Sequence, residues 1–420
     1  MNVTRAGVVV LGVSMVLALV TTALAGASLT FISTQFSPIQ EQEFFRNEVL
    51  SGFTRETGVQ LRFVTEDYGP FMDRILAEGR AGRFTVSLVG TLHGDFPVFT
   101  AAGIPSDLRA IETLGGRTFI EEFKKLGQMD GKQVYVPWVQ ATYLMVANKK
   151  ALAYLPPWAD PYALTYDQLL LWARNLQEAT GGPKLGFPAG PRGLFGRMLH
   201  GYLYPAFTGS QVRNFNSPEA VAMWSYLKEL FRYAHPSSLI WEAMADPLLL
   251  EEVWVAWDHT ARLGPAVRER PDAFVVLPSP AGPKGRAFIA VLAGLMIPRG
   301  APEAEAAWKL IEYLTRPQVQ VKVLQGTGFF PTVMEASGHL PEGPLRVLAE
   351  GVTRQAGSPD AMVSLLPVGL GGRTGEYVPI FTDAFHAIVV QNRPIGDVLG
   401  AQERKLRALF QETGAPLPQP

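Results

Sequence analysis

Residues 29–63 read LTFISTQFSPIQEQEFFRNEVLSGFTRETGVQLRF, and the pattern is strand, helix, strand. Leu29-Thr30-Phe31-Ile32-Ser33-Thr34 is dense in β-branched and aromatic residues, as half-buried strands are. Ser37 then offers an N-cap and Pro38 a first helical residue. Phe45, Val49 and Phe53 recur at i, i+4 and i+8 and so share one helix face. Thr57-Gly58 ends that helix, and Val59 to Phe63 alternates as a second strand. Outward from here the pattern repeats. Pro70 to Gly82 predicts a helix with Phe71, Ile75 and Leu76 inward, Phe84 to Val89 a third strand, and Asp95 to Gly103 a third helix. Strands alternating with helices predict an α/β fold with a parallel sheet.

A second region starts near Tyr135. It holds a helix from Leu164 to Ala179 capped by Thr165, and another opened by Ser217-Pro218 that carries Trp224, Leu227 and Phe231. Pro-rich loops punctuate it at Pro156-Pro157, Pro188 to Pro191 and Pro278 to Pro283, and no internal repeat is present.

Towards the N-terminus the chain has no charge between Arg5 and Glu41. A basic start, an apolar run from Gly7 to Val20 and the small residues Ala23-Leu24-Ala25-Gly26-Ala27 follow the order of a secretory signal peptide, residues 1–27. An uncleaved anchor is the alternative, since such a run can span about 30 Å of hydrocarbon. Either way the globular part is expected outside the cytoplasm, periplasmic or extracellular. The 420 residues are 47% hydrophobic, enough for two cores, and the net charge of -1 argues against nucleic acid as a partner. With no cysteine, thiol nucleophiles, thiolate metal sites and a lipid-modified Cys are all excluded. The six histidines are scattered without ligand spacing, so neither metal nor cofactor is expected.

Four segments together resemble the carbohydrate-binding solute receptors of ABC importers, the group that includes maltodextrin-binding proteins. They are Phe53 to Leu61, Asp130-Gly131-Lys132 through Pro137 to Asn148-Lys149-Lys150, Phe215 to Ala220, and Ala307-Trp308 through Pro317-Gln318 to Gly328-Phe329-Phe330-Pro331. Two features depart from that group: Arg83-Phe84-Thr85 replaces a usual acidic position before the third strand, and no Cys is available for a lipid anchor. The resemblance implies a two-lobed periplasmic-binding-protein fold, each lobe a mainly parallel sheet flanked by helices, hinged by crossover strands. The lobes would be residues 28–138 with 292–331, and 139–291 with 332–420. It also implies a sugar or oligosaccharide ligand held between the lobes, ABC permease transmembrane subunits with their ATPase as partners, a monomeric state and no catalysis.

Sugars need flat aromatics for their C–H faces and short polar groups for their hydroxyls. Small ligands sit at the carboxyl ends of parallel strands and at domain interfaces. Gln35 follows the first strand, Glu66 and Asp67 the second, and Thr91, His93 and Asp95 the third; Glu66 or Asp67 can instead cap the helix that begins at Pro70, and Asp95 the one after it. Trp138, Gln140 and Tyr143 lie at the first crossing, with lobe packing the competing role for Trp138; Gly294 lies at the second and Phe330 at the third. In Val253 to His259, Trp257 matches the place of a stacking tryptophan in that group, with a buried core strand as its competing role, Asp258 offers a hydroxyl acceptor, and Trp254 is expected in the core. The glycine-dense Leu370 to Tyr377 lacks a phosphate-loop pattern and is expected to deliver Arg373 or Tyr377 to the ligand. Two alternatives stand beside the sugar: a glycerophosphodiester or other anionic solute bound through Arg373, and an exported glycan-active enzyme, for which no carboxylate pair stands out.

Overall fold

The computed structural model describes residues 28–36, 39–340 and 342–418. The expected signal peptide, the Ser37 cap and Pro38 lie outside the described residues. Two compact units form. One runs to Val139 and includes Leu292–His339; the other comprises Gln140–Val291 and the chain from Leu340 onward.

In the first unit a five-stranded sheet has the order Gln60–Thr65, Ser28–Ser33, Leu88–Leu92, Val291–Met296, Val136–Ala141. The first three strands are parallel, and Val291–Met296 runs antiparallel to Leu88–Leu92. Between the first two strands the chain is helical from Ile39 to Thr57, with one π-helical stretch at Phe45–Leu50. Phe45, Val49 and Phe53 are fully buried along it, and Gly58 ends it at φ 74°, a conformation that costs glycine nothing. The third strand begins at Leu88 rather than Phe84. The reason is local: the Thr85 N–H donates to the Glu78 carboxylate (2.8 Å) instead of to a neighbouring strand.

Trp138 is wholly buried in this unit, its ring 5.2–5.7 Å from those of Phe31, Phe36 and Phe45. Gly90 leaves it room: a Cβ there would stand 2.9 Å from Phe31 and 3.1 Å from Trp138. The packing role weighed for Trp138 is the one the structure shows. Residues 332–339 also stay with this unit instead of the other. Thr332 Oγ1 donates to the Pro137 carbonyl (3.1 Å), the Thr332 N–H to Gln320 Oε1 (2.8 Å), and the Met334 N–H to the Thr118 carbonyl (2.8 Å).

The second unit's sheet has the order Phe274–Leu277, Tyr143–Asn148, Val255–His259, Leu185–Gly186. It is not mainly parallel. Tyr143–Asn148 is antiparallel to both neighbours, and only Leu185–Gly186 runs parallel to Val255–His259. Tyr143–Asn148 follows Val136–Ala141 with one residue between, so its direction is set by the incoming chain and not by a helical return. The expected helices form: Tyr166–Thr180 begins with a complete capping box of Thr165 and Gln168, and Pro218–Leu230 is capped by Ser217.

Candidate ligand site

Three parallel strands end together in the first unit, and their last residues and the segments after them carry a connected set of polar side chains. Gln35 Nε2 donates to Thr34 Oγ1 (3.0 Å), Thr34 Oγ1 meets Thr91 Oγ1 (3.1 Å), and the Thr91 hydroxyl donates to Asp95. The Tyr68 hydroxyl faces the same carboxyl group. Parallel pairing brings the three loops together, since the Thr34 N–H donates to the Gly90 carbonyl and the Glu66 N–H to the Ser33 carbonyl. Burial pushes the Asp95 carboxyl up to about 6, against the lowering effect of Thr91, Tyr68 and Leu92. The Tyr68 phenol is raised, first by burial and then by the Asp95 charge. Tyr68 is nevertheless 42% exposed, so the chain Gln35–Thr34–Thr91–Asp95–Tyr68 starts buried and ends at solvent.

Other residues expected here do not join it. Glu66 is tied to Arg74 (2.8 Å), itself bonded to Glu78. Asp67 holds the N-cap position of Tyr68–Ala81 without a side-chain capping bond. His93 is buried and kept neutral, its pKa lowered to about 4 by burial, and neither ring nitrogen makes a hydrogen bond of normal geometry. Gly294 is required by packing, because a Cβ there would lie 2.3 Å from Tyr135 Cδ2. Phe330 is buried and Phe329 packs edge-on against Phe36.

In the second unit the carboxyl end of Val255–His259 lies beside the start of Tyr143–Asn148, with Tyr143 opposite His259. Trp257 is fully buried; one face is covered by Tyr143, and Nε1 donates to Ser279 Oγ (3.3 Å). This corrects the expectation of a free stacking ring. Trp254 differs in the opposite sense: it is only half-buried, with Lys150 and Lys184 each 5.6 Å from its ring. Asp258 spends both oxygens on backbone, accepting from Met244 N (3.0 Å) and His259 N (2.7 Å), and burial pushes it up to about 7. Tyr202 holds Tyr143 at both backbone groups: its hydroxyl accepts from the Tyr143 N–H and donates to the Tyr143 carbonyl, each at 3.1 Å. Gln140 is buried within Val136–Ala141.

Arg373 does not reach toward this cluster. Its guanidinium is forked onto Glu376 and also bonded to Glu412, which neutralises it. Tyr377 is buried, its hydroxyl donating to Gln211 Oε1 (3.2 Å). What the sequence reading missed is Arg197. It and His200 are the basic side chains in the apolar run Leu194 to Phe207, and that isolation was the available signal. Among the described residues no group of His, Asp and Glu is placed to hold a metal ion, and no helix is long and apolar enough to cross a membrane.

Two α/β units carrying polar clusters at their strand ends are the architecture of a solute receptor. The chain belongs to the bacterial extracellular solute-binding protein family, whose model matches residues 48–341. No curated protein sequence matches significantly. Among solved structures, the sugar-binding protein MalE of Xanthomonas citri is similar with a TM-score of 0.74 at 14% identity, covering 92% of this chain and 98% of that one. The GacH receptor of Streptomyces glaucescens, solved unliganded and with acarbose, gives 0.67 at 17% identity over 92% and 99%. UgpB of Mycobacterium tuberculosis, solved with glycerophosphocholine, gives 0.65 at 18% identity over 92% and 99%.

Proposed function

We propose that this protein is the substrate-binding component of an ABC importer, capturing a sugar or oligosaccharide and delivering it to the membrane permease. The chain Gln35–Thr34–Thr91–Asp95–Tyr68 carries the reading. It offers hydroxyl, amide and carboxyl groups at the carboxyl ends of three parallel strands, the chemistry that sugar hydroxyls require. The sugars bound by several structural neighbours support the same class. The protein acts as a monomer outside the cytoplasm, exported by its N-terminal segment, and does no chemistry on its ligand. Titration calorimetry with mono-, di- and trisaccharides, each mixture then analysed for products, tests this. Saturable binding with the sugar recovered intact is the expected result; turnover would overturn it in favour of a glycan-active enzyme.

A further inference from the structure

Arg197 stands in the helix turn Phe195–Met198, reached from the end of Leu185–Gly186, and Arg262 stands in Thr260–Glu269, directly after Val255–His259. Those two strands are parallel neighbours, so both arginines follow carboxyl ends on the same side of the sheet. Arg197 Nη1 approaches His200 Nε2 (3.4 Å), while His200 Nδ1 is engaged with Gln211 Oε1 (3.0 Å). Gln211 Oε1 also accepts from the Tyr377 hydroxyl, so His200 must donate through Nδ1 and present a lone pair to Arg197. The Tyr143 phenol also lies near enough to Arg197 to feel its charge. The groups around this half-buried guanidinium are therefore neutral: two tyrosines and two histidines, His200 and His259. Both histidines are held uncharged, at about 3 and about 4, by burial first and by nearby arginines second. Arg262 donates to the Glu242 backbone carbonyl and faces Asp258, whose two oxygens already accept backbone N–H groups; the Glu242 carboxylate is held by Arg192. Among the described residues neither Arg197 nor Arg262 forms a salt bridge to a carboxylate. Arg262 still has the Asp258 and Glu242 carboxyl groups near it, whereas the charge of Arg197, in contrast to that of Arg373, is left for something else.

We infer that Arg197, seconded by Arg262, is an oxyanion-recognition site, so that the captured solute is a polyol bearing a phosphate ester or a carboxylate rather than a neutral sugar. This rests on the sugar-class reading above and narrows it. A guanidinium fork matches two oxygens of such a group, and a partly buried cation gains most from a partner of opposite charge. A neutral sugar would leave that charge uncompensated.

The test compares glucose, glucose 1-phosphate, glucuronate and glycerophosphocholine by titration calorimetry, with Arg197→Met and Arg197→Lys beside the unaltered protein. At least one oxyanion ligand is expected to bind tenfold or more tighter than glucose, and whether phosphate or carboxylate is preferred names the anion. Raising the salt concentration should weaken that ligand and not glucose, a reading that needs no variant. Arg197→Met should remove the tenfold advantage, and Arg197→Lys should restore part of it, because lysine keeps the charge but not the fork. Glucose binding as tightly as its phosphate, with no response to Arg197→Met, would overturn the inference and leave the sugar reading intact. Failure of the whole panel to bind would overturn the inference, and the sugar reading would fall with it only if the di- and trisaccharides also failed to bind.

Discussion

Tyr143 lies flat on Trp257, with ring centroids 4.9 Å apart and planes 7° from parallel, and Tyr202 meets the same indole edge-on at 5.2 Å. An offset stack of this kind contributes about 0.5–1.5 kcal/mol beyond the area it buries. It also occupies the ring face that a sugar would need. Trp257 is thus part of the second unit's core. Trp257→Ala should lower the unfolding free energy of the ligand-free protein by about 3–5 kcal/mol in denaturant titration. A variant that unfolds like the unaltered protein yet no longer binds sugar would return Trp257 to the ligand.

Tyr68 offers the converse test. It is partly exposed and its hydroxyl faces Asp95, so Tyr68→Phe should cost only about 0.5–1.5 kcal/mol of stability. Affinity for the physiological solute should fall by more than that stability loss would explain. Unchanged affinity in calorimetry would remove the solvent end of the polar chain from the site.

Asp95 and His93 predict opposing pH dependences. With a native value of about 6 against 3.8, Asp95 keeps its proton in the folded state after the unfolded chain has lost it. Its contribution to stability therefore falls as pH rises from about 4 to about 6, by roughly 3 kcal/mol. His93, at about 4 against 6.5, stays neutral when folded while the unfolded chain takes up a proton. Its contribution is lost as pH falls through the same window. The two slopes offset, so Asp95→Asn should gain stability relative to the unaltered protein as pH goes from 4 to 6. A difference that does not vary with pH in denaturant titrations would show that Asp95 is not held protonated.

Gly294→Ala places a methyl group against Tyr135, which is itself buried and stacked on Phe96 (4.3 Å), leaving the ring little room to yield. Overpacking of this kind costs about 1–3 kcal/mol. The melting temperature of the ligand-free variant should drop. An unchanged melting temperature would mean that the Tyr135 ring moves freely.

Arg373 is half-buried and already satisfied by Glu376 and Glu412. Arg373→Ala should leave the affinity for any of the solutes above unchanged in calorimetry. A loss restricted to anionic solutes would shift oxyanion recognition from Arg197 to this residue.

The sequence by itself determined the features that depend on near neighbours. The helix face Phe45-Val49-Phe53, the capping box at Thr165, the left-handed stop at Gly58 and the polar loops after the first three strands follow from spacing, φ preference and chain order. Gln35, Thr91 and Asp95 were legible as candidates for that reason. Only the tertiary structure decided what residues distant in the chain do to one another. It spent Glu66 on Arg74 and Arg373 on Glu376 and Glu412, closed Tyr143 over Trp257, and enclosed Trp138 among phenylalanines. It ran Tyr143–Asn148 against both its neighbours, and it left Arg197 among neutral tyrosines and histidines. A charge or a ring acts on a ligand only if no other residue has claimed it, and that competition is settled by packing between elements far apart in sequence.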